Sequence, residues 1–331
     1  MTEIVAINDG TVNIQFTTKS LTETVAINDG TVNARTTGKS LTETVAISAV
    51  VSTQFALNPI ISHIYDEVTT RKTTTSATYV NVTDSSITSG NFTAGKKYLI
   101  IATAQFDGSS IASNAMVRLA HGSTAFAGSN MTKEPMAVTT QEYTYGYWTV
   151  WTAVSGEDVS LQFACEGGCT VGVDNIGLFA MNLSDDLTEN TDWFVSENST
   201  SIPHSTTFKT GAQITFTPAT AGHDWLVLAK DNVNFDESTP ATNAEFRIER
   251  YGEATSLFPL LTEEGEDAGG SALDGNAWML IRNYTLGAVS NTFAVGVRDA
   301  AAFTPQHRSN FTGIFALDMD KFKNNNQTYT E

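Results

Sequence analysis

Polar and apolar residues alternate with a period of two along most of this chain, in short runs. "YTYGYWTVWTAV" (143–154), "DVSLQFAC" (158–165), "AQITFTP" (212–218), "AWMLIRNYTL" (277–286) and "NTFAVGVRD" (291–299) each set two unlike faces on an extended segment. Turns bearing Gly, Asn and Asp separate the runs, and none has the 3.6-residue spacing of an amphipathic helix. The pattern predicts an all-β chain whose strands pack as β-sandwiches of jelly-roll type.

The first fifty residues carry a different order. "TEIVAINDGTVN" (2–13) returns as "TETVAINDGTVN" (22–33), and "TETVAIS" (42–48) begins a third copy; residues 2–21 and 22–41 match at fifteen of twenty positions. Within one copy, "VAI" and "TVN" flank an "NDG" stretch suited to a tight turn. Each copy therefore reads as a hairpin turning at Asp9-Gly10 or Asp29-Gly30. Its apolar load is small: Val5, Ile7 and Val12 in the first copy, Val25, Ile27 and Val32 in the second. A lone hairpin is marginal in water, so cover must come from elsewhere. Sister molecules carrying identical copies supply it most directly. Residues 1–52 are expected to be an assembly or attachment arm.

A more degenerate duplication fills the remainder. "TAGKKYLIIATAQF" (93–106) and "TAGHDWLVLAKDNV" (220–233) share a turn leading into an aromatic and an apolar strand. Asn114-Ala115 and Asn243-Ala244 then open alternating strands ending at Gly122 and Gly252, and "NIGLFAMNL" (175–183) answers "FTGIFALDM" (311–319). The expectation is two tandem jelly-roll-like domains, 53–184 and 185–331, the second with a polar tail.

Charge narrows the partners. The formal net charge is -18 with only 16% charged residues, which opposes nucleic acid and anionic membranes because phosphate contacts need clustered Lys and Arg. No run approaches the roughly 18 apolar residues of a membrane span, and no secretory leader is read at the N-terminus. Membrane insertion is not expected.

Candidate chemistry is sparse. His63, His121, His204, His223 and His307 lie at no metal-ligand or protease spacing and are expected at the surface or in loops. No catalytic residue is assigned, and the chain is not expected to be an enzyme. Cys165 and Cys169 in "CEGGC" suit either a disulfide across a small loop or two free thiols. Oxygen-rich "EEGEDAGG" is the nearest thing to a Ca²⁺ loop, through Glu263, Glu264, Glu266 and Asp267, though it misses the EF-hand spacing and suits a solvated turn better. No other cofactor is expected. Tyr143, Tyr145 and Tyr147 share one side of their strand, with Trp148 and Val150 on the other. Exposed, the three rings would stack on sugars; alternatively, and preferred here, one side packs in a core and the other meets a neighbouring domain or subunit.

The "TETVAINDGTVN" repeats, together with the paired "TAG…NA…G" and "IGLFA/TGIFA" blocks, make the chain similar to virion structural proteins of tailed bacteriophages and related viruses. The resemblance is one of architecture: a repetitive N-terminal β segment followed by tandem sandwich domains. It implies attachment to capsid or tail, a decoration, turret or fibre role, homotrimers, partners among other virion proteins, contact with host-surface glycans, and assembly in the host cytoplasm with final location on the virion surface. Two jelly rolls in one chain also resemble double jelly-roll major capsid proteins, although a repetitive arm departs from them. A secreted adhesin or carbohydrate-binding protein using the tyrosine strand is the alternative from another class.

Overall fold

Strands form where the alternation places them. The computed structural model describes residues 5–8, 12–15, 25–28, 32–35, 63–110, 113–133, 142–185, 187–203, 205–235, 243–251, 261–264, 274–299 and 307–321. Every regular element among them is a strand, apart from single 3₁₀ turns at Ser89–Asn91 and Met319–Lys321. The chain divides into two compact units, 1–57 and 58–331.

In the first unit lie β1 (Val5–Asn8), β2 (Val12–Gln15), β3 (Val25–Asn28) and β4 (Val32–Arg35). Their pairing corrects the hairpin expectation. β1 pairs with β3 and β2 with β4, both parallel, so copy stacks on copy and the strands of one copy are not partners. The register is Val5 on Val25, Ile7 on Ile27, Asn8 on Asn28 and Val12 on Val32. Near-identical sequences favour this arrangement because most rungs set like on like, with Ile14 on Ala34 and Gln15 on Arg35 the exceptions, whereas a hairpin would oppose unlike residues. Asp9, Gly10, Asp29 and Gly30 lie outside the described residues.

The second unit opens with β5 (His63–Val68), β6 (Lys72–Thr74), β7 (Val80–Ile87), β8 (Lys97–Gly108) and β9 (Ala115–His121). It continues through β10 (Thr124–Ala125), β11 (Met131–Lys133), β12 (Tyr143–Thr152), β13 (Val159–Cys165) and β14 (Val171–Asn182). These strands build two facing antiparallel sheets, ordered β12-β8-β14-β5 and β11-β9-β13-β7. That is a jelly roll.

The order then repeats. β15 (Trp193–Asn198), β16 (Ile202–Pro203), β17 (Lys209–Phe216), β18 (His223–Phe235) and β19 (Asn243–Tyr251) precede β20 (Leu261–Glu264), β21 (Asp274–Leu286), β22 (Asn291–Asp299) and β23 (His307–Asp318). Their sheets run β21-β18-β23-β15 and β20-β19-β22-β17, matching the first lobe strand for strand. Gly177 is opposite Thr103 on β8, and Gly313 holds the same register opposite Lys230 on β18.

Each lobe has its own core. Tyr98, Ile100, Phe106, Val117, Leu161 and Leu178 are among those filling the first, and Trp225, Val227, Phe246, Phe293, Val295 and Ile314 fill much of the second. A third cluster lies between the lobes, where Leu99, Trp148 and Met181 meet Trp193, Leu228 and Phe315. Burying side chains of this size stabilises by about 1.5–3 kcal/mol each. A bridge from Thr132 on β11 to Gly275 on β21 carries one sheet from lobe to lobe. The boundary expected at 184/185 falls between β14 and β15, where Leu183 and Leu187 are themselves buried in the third cluster.

Candidate functional site

Strand β12 decides what the tyrosine row can do. It pairs with β8 along its whole length, and its odd-numbered residues face the first core. Tyr145 and Tyr147 are fully buried and Tyr143 nearly so. The Tyr145 hydroxyl donates to the Ser129 carbonyl at 2.9 Å and that of Tyr147 to the Ala127 carbonyl at 2.5 Å. Burial pushes both phenols above their ordinary value. The rings have no free face for a sugar, which removes the exposed-row reading. Trp148 and Val150, on the reverse side, pack in the cluster between the lobes.

Lys230 is driven into that seam from β18 and is 1% exposed. Its Nζ donates to Tyr147 Oη at 3.1 Å and Glu197 Oε1 at 2.5 Å. It also lies 4.6 Å from the ring of Tyr147, 4.5 Å from Trp148 and 4.8 Å from Phe311. Burial pulls the ammonium down to about 8, against the opposing effect of Glu197. Gly313 leaves it room: a Cβ there would stand 2.5 Å from Lys230 Cε. The next residue, Asp231, points to the opposite side of the strand, into the second core. Ser309 Oγ donates to its Oδ2 at 3.1 Å, while Oδ1 is buried with no hydrogen-bond partner among the described residues. Burial lifts this carboxyl to about 8. A lysine and an aspartate at neighbouring positions carry no spacing motif, and sequence reasoning missed both.

The outer face of the β12-β8-β14-β5 sheet is only partly covered by the second lobe. Beyond Leu99 and Ile101 the row continues to exposed Thr103 and half-buried Gln105. Beside them, β14 carries an irregularity between Asp174 and Gly177, with Asn175 at φ 47°, and the Asn175 amide donates to Gln105 Oε1. Such bulges re-aim side chains on a sheet surface. Arg71 spans Asp107 at 2.5 Å and Asp174 at 3.6 Å. On the edge strand β5, Tyr65 is 59% exposed and Glu67 is exposed beside it. An aromatic ring, two amides and several carboxylates thus share one open surface.

The other candidates fall apart spatially or are already engaged. Cys165 and Cys169 are bonded to each other, joining the end of β13 to the following turn. His121 lies against Phe126 and Trp151 and contacts Glu157 at 2.5 Å. His223 Nδ1 is 2.8 Å from Asp318 Oδ2, and with Asp320 these residues place one ligand atom each within 4.8 Å, a grouping invisible in the sequence because about 95 residues separate its ends. The set could hold a cation, but Asp320 Oδ2 already accepts from the Asp224 amide and Asp318 Oδ1 from that of Asp320. Glu263 and Glu264 end β20, and Glu266, Asp267 and His204 lie outside the described residues. His63 and His307 begin strands β5 and β23.

Fold and surface together define a tandem jelly-roll protein with a repeated N-terminal ladder. No family model and no curated protein matches the chain. Among solved structures it is similar to the insecticidal delta-endotoxin Cry8Ea1 from Bacillus thuringiensis, at 8% identity and TM-score 0.25, covering 64% of this chain and 42% of that one. It is also similar to the CBM22-1-CBM22-2 tandem domain of Paenibacillus barcinonensis Xyn10C, at 9% identity and TM-score 0.21, covering 77% and 91% respectively. The STIV MCP matches at 9% identity and TM-score 0.21, covering 78% and 95%. The chain therefore spans less than half the length of the endotoxin, and likeness at these scores transfers neither activity nor partner.

Proposed function

We propose that this chain is a non-enzymatic structural subunit of a virion, a capsid- or tail-attached decoration or fibre protein that joins sister molecules through its N-terminal repeats and projects two jelly rolls. The observation that supports this reading is the in-register parallel ladder of β1 on β3 and β2 on β4. Among the described residues each ladder has two strands, so each strand keeps one edge outside that pair. Because the copies are nearly identical, that edge carries the same pattern its partner already accepts, and a sister molecule is the natural next rung. The small apolar load of each copy makes such cover necessary.

Homotrimers, contacts with other virion proteins, and assembly in the host cytoplasm followed by display on the virion surface belong to the same proposal. The net charge of -18 supports a surface that avoids nucleic acid and anionic membrane. A second reading, a carbohydrate-binding adhesin, is favoured by exposed Tyr65 on the open sheet face. Sedimentation of the full chain and of a form lacking residues 1–48 tests the first reading. The full chain should form a defined oligomer and the truncated form a folded monomer. A full-length protein that stays monomeric at high concentration would overturn it.

A further inference from the structure

We propose that the open half of the outer β12-β8-β14-β5 face binds a neutral saccharide chain, with the Tyr65 ring as its stacking platform. This deepens the reading of the lobes as displayed modules, and it stands or falls separately from assembly through the N-terminal ladder.

The platform follows from one cross-strand relationship. Tyr65 sits on β5 opposite Phe179 of β14, and Gly177 is two residues along β14 on the same face. A Cβ on Gly177 would stand 3.5 Å from Tyr65 Oη and 3.7 Å from its Cε2. The ring therefore leans over the bare glycine instead of standing away from the sheet, and the residue remains 59% exposed. Thr103, whose Oγ1 would be 3.0 Å from that Cβ, continues the low floor toward β12. There Gly146 opposes Thr103 and Met279 of the second lobe closes the row. Adjacent strands lie about 4.8 Å apart, so the four strands give a floor about 14 Å across, enough for a short oligosaccharide.

Chemistry selects the occupant. Sugar rings present C–H groups to the negative face of an aromatic ring and hydroxyls to polar groups at their rim. The rim here is the Gln105–Asn175 amide pair, Asp174, and the Arg71–Asp107 ion pair. Glu67, Asp107 and Asp174 outnumber Arg71 on this surface, which repels uronic acids, sialic acids and phosphates. An uncharged chain fits.

The test titrates the full-length protein with cellohexaose, xylohexaose, chitohexaose and maltohexaose, with hexagalacturonate as the anionic control, following heat and the NMR signals of Tyr65, Gly177 and Asn175. At least one neutral probe should saturate and shift those signals. Tyr65→Ala should weaken it by about three- to tenfold, the effect of losing one aromatic contact, while Tyr65→Phe keeps it. Gly177→Val should weaken binding comparably by lifting the ring. Thermal unfolding of each variant separates lost binding from lost folding. The proposal is overturned if no neutral probe binds, if hexagalacturonate binds better, or if a folded Tyr65→Ala variant binds like the parent.

Discussion

Replacing Asp231 by Asn should flatten part of the pH dependence of stability, and the size of the change can be worked out. Asp231 is 1% exposed on β18, with a single described hydrogen bond, from Ser309, and burial raises its carboxyl from 3.8 to about 8. A carboxyl raised in the folded state binds its proton more tightly there than in the unfolded chain. Its stabilising contribution is full below about pH 4 and is lost as pH rises toward 8. Between those limits the slope is about 1.4 kcal/mol per pH unit, or about 2.7 kcal/mol from pH 5 to 7. For a folded unit of this size that corresponds to roughly 5–10 °C in Tm. Lys230, lowered from 10.5 to about 8, changes its contribution only above that window, where stability recovers as pH rises further. Asn at 231 keeps the shape without the titration, and any cost of its amide is constant with pH. Calorimetry of parent and variant at pH 5, 6 and 7 should give a Tm difference that drifts in the variant's favour by that amount. Parallel curves would show that Asp231 titrates as an ordinary carboxylate, and the reasoning from burial would fail.

Two further outcomes follow from packing. Gly313→Ala sets a Cβ 2.5 Å from Lys230 Cε and should destabilise by about 1–3 kcal/mol in urea unfolding, and combining it with Lys230→Ala should be less damaging than the sum of the two; strict additivity would mean that the glycine is not making room for the lysine. Reducing the Cys165–Cys169 bond should lower stability by about 2 kcal/mol on the chain-entropy estimate for so short a loop, seen as a lower urea midpoint at unchanged slope, and an unmoved midpoint would refute it.

By itself the sequence determined the class of fold and its duplication. Period-two alternation can bury one face of a strand and little else, and the shared "TAG" turns led into β8 and β18 at matching positions. The division of β12 into a tyrosine side and a tryptophan side was equally legible. Which side becomes core was not, because alternation is symmetric about the sheet and only the second sheet and second lobe decide what covers each face. The same holds for the N-terminal copies: a repeat sets the period, but pairing within or between copies depends on which edges meet in three dimensions. Lys230 with Tyr147 and Glu197, His223 with Asp318, and Tyr65 over Gly177 each join residues about 33 to 112 positions apart. Strand order within each sheet brings together the pairs inside one lobe, and packing of the two jelly rolls adds Tyr147 to Lys230; no local pattern does either.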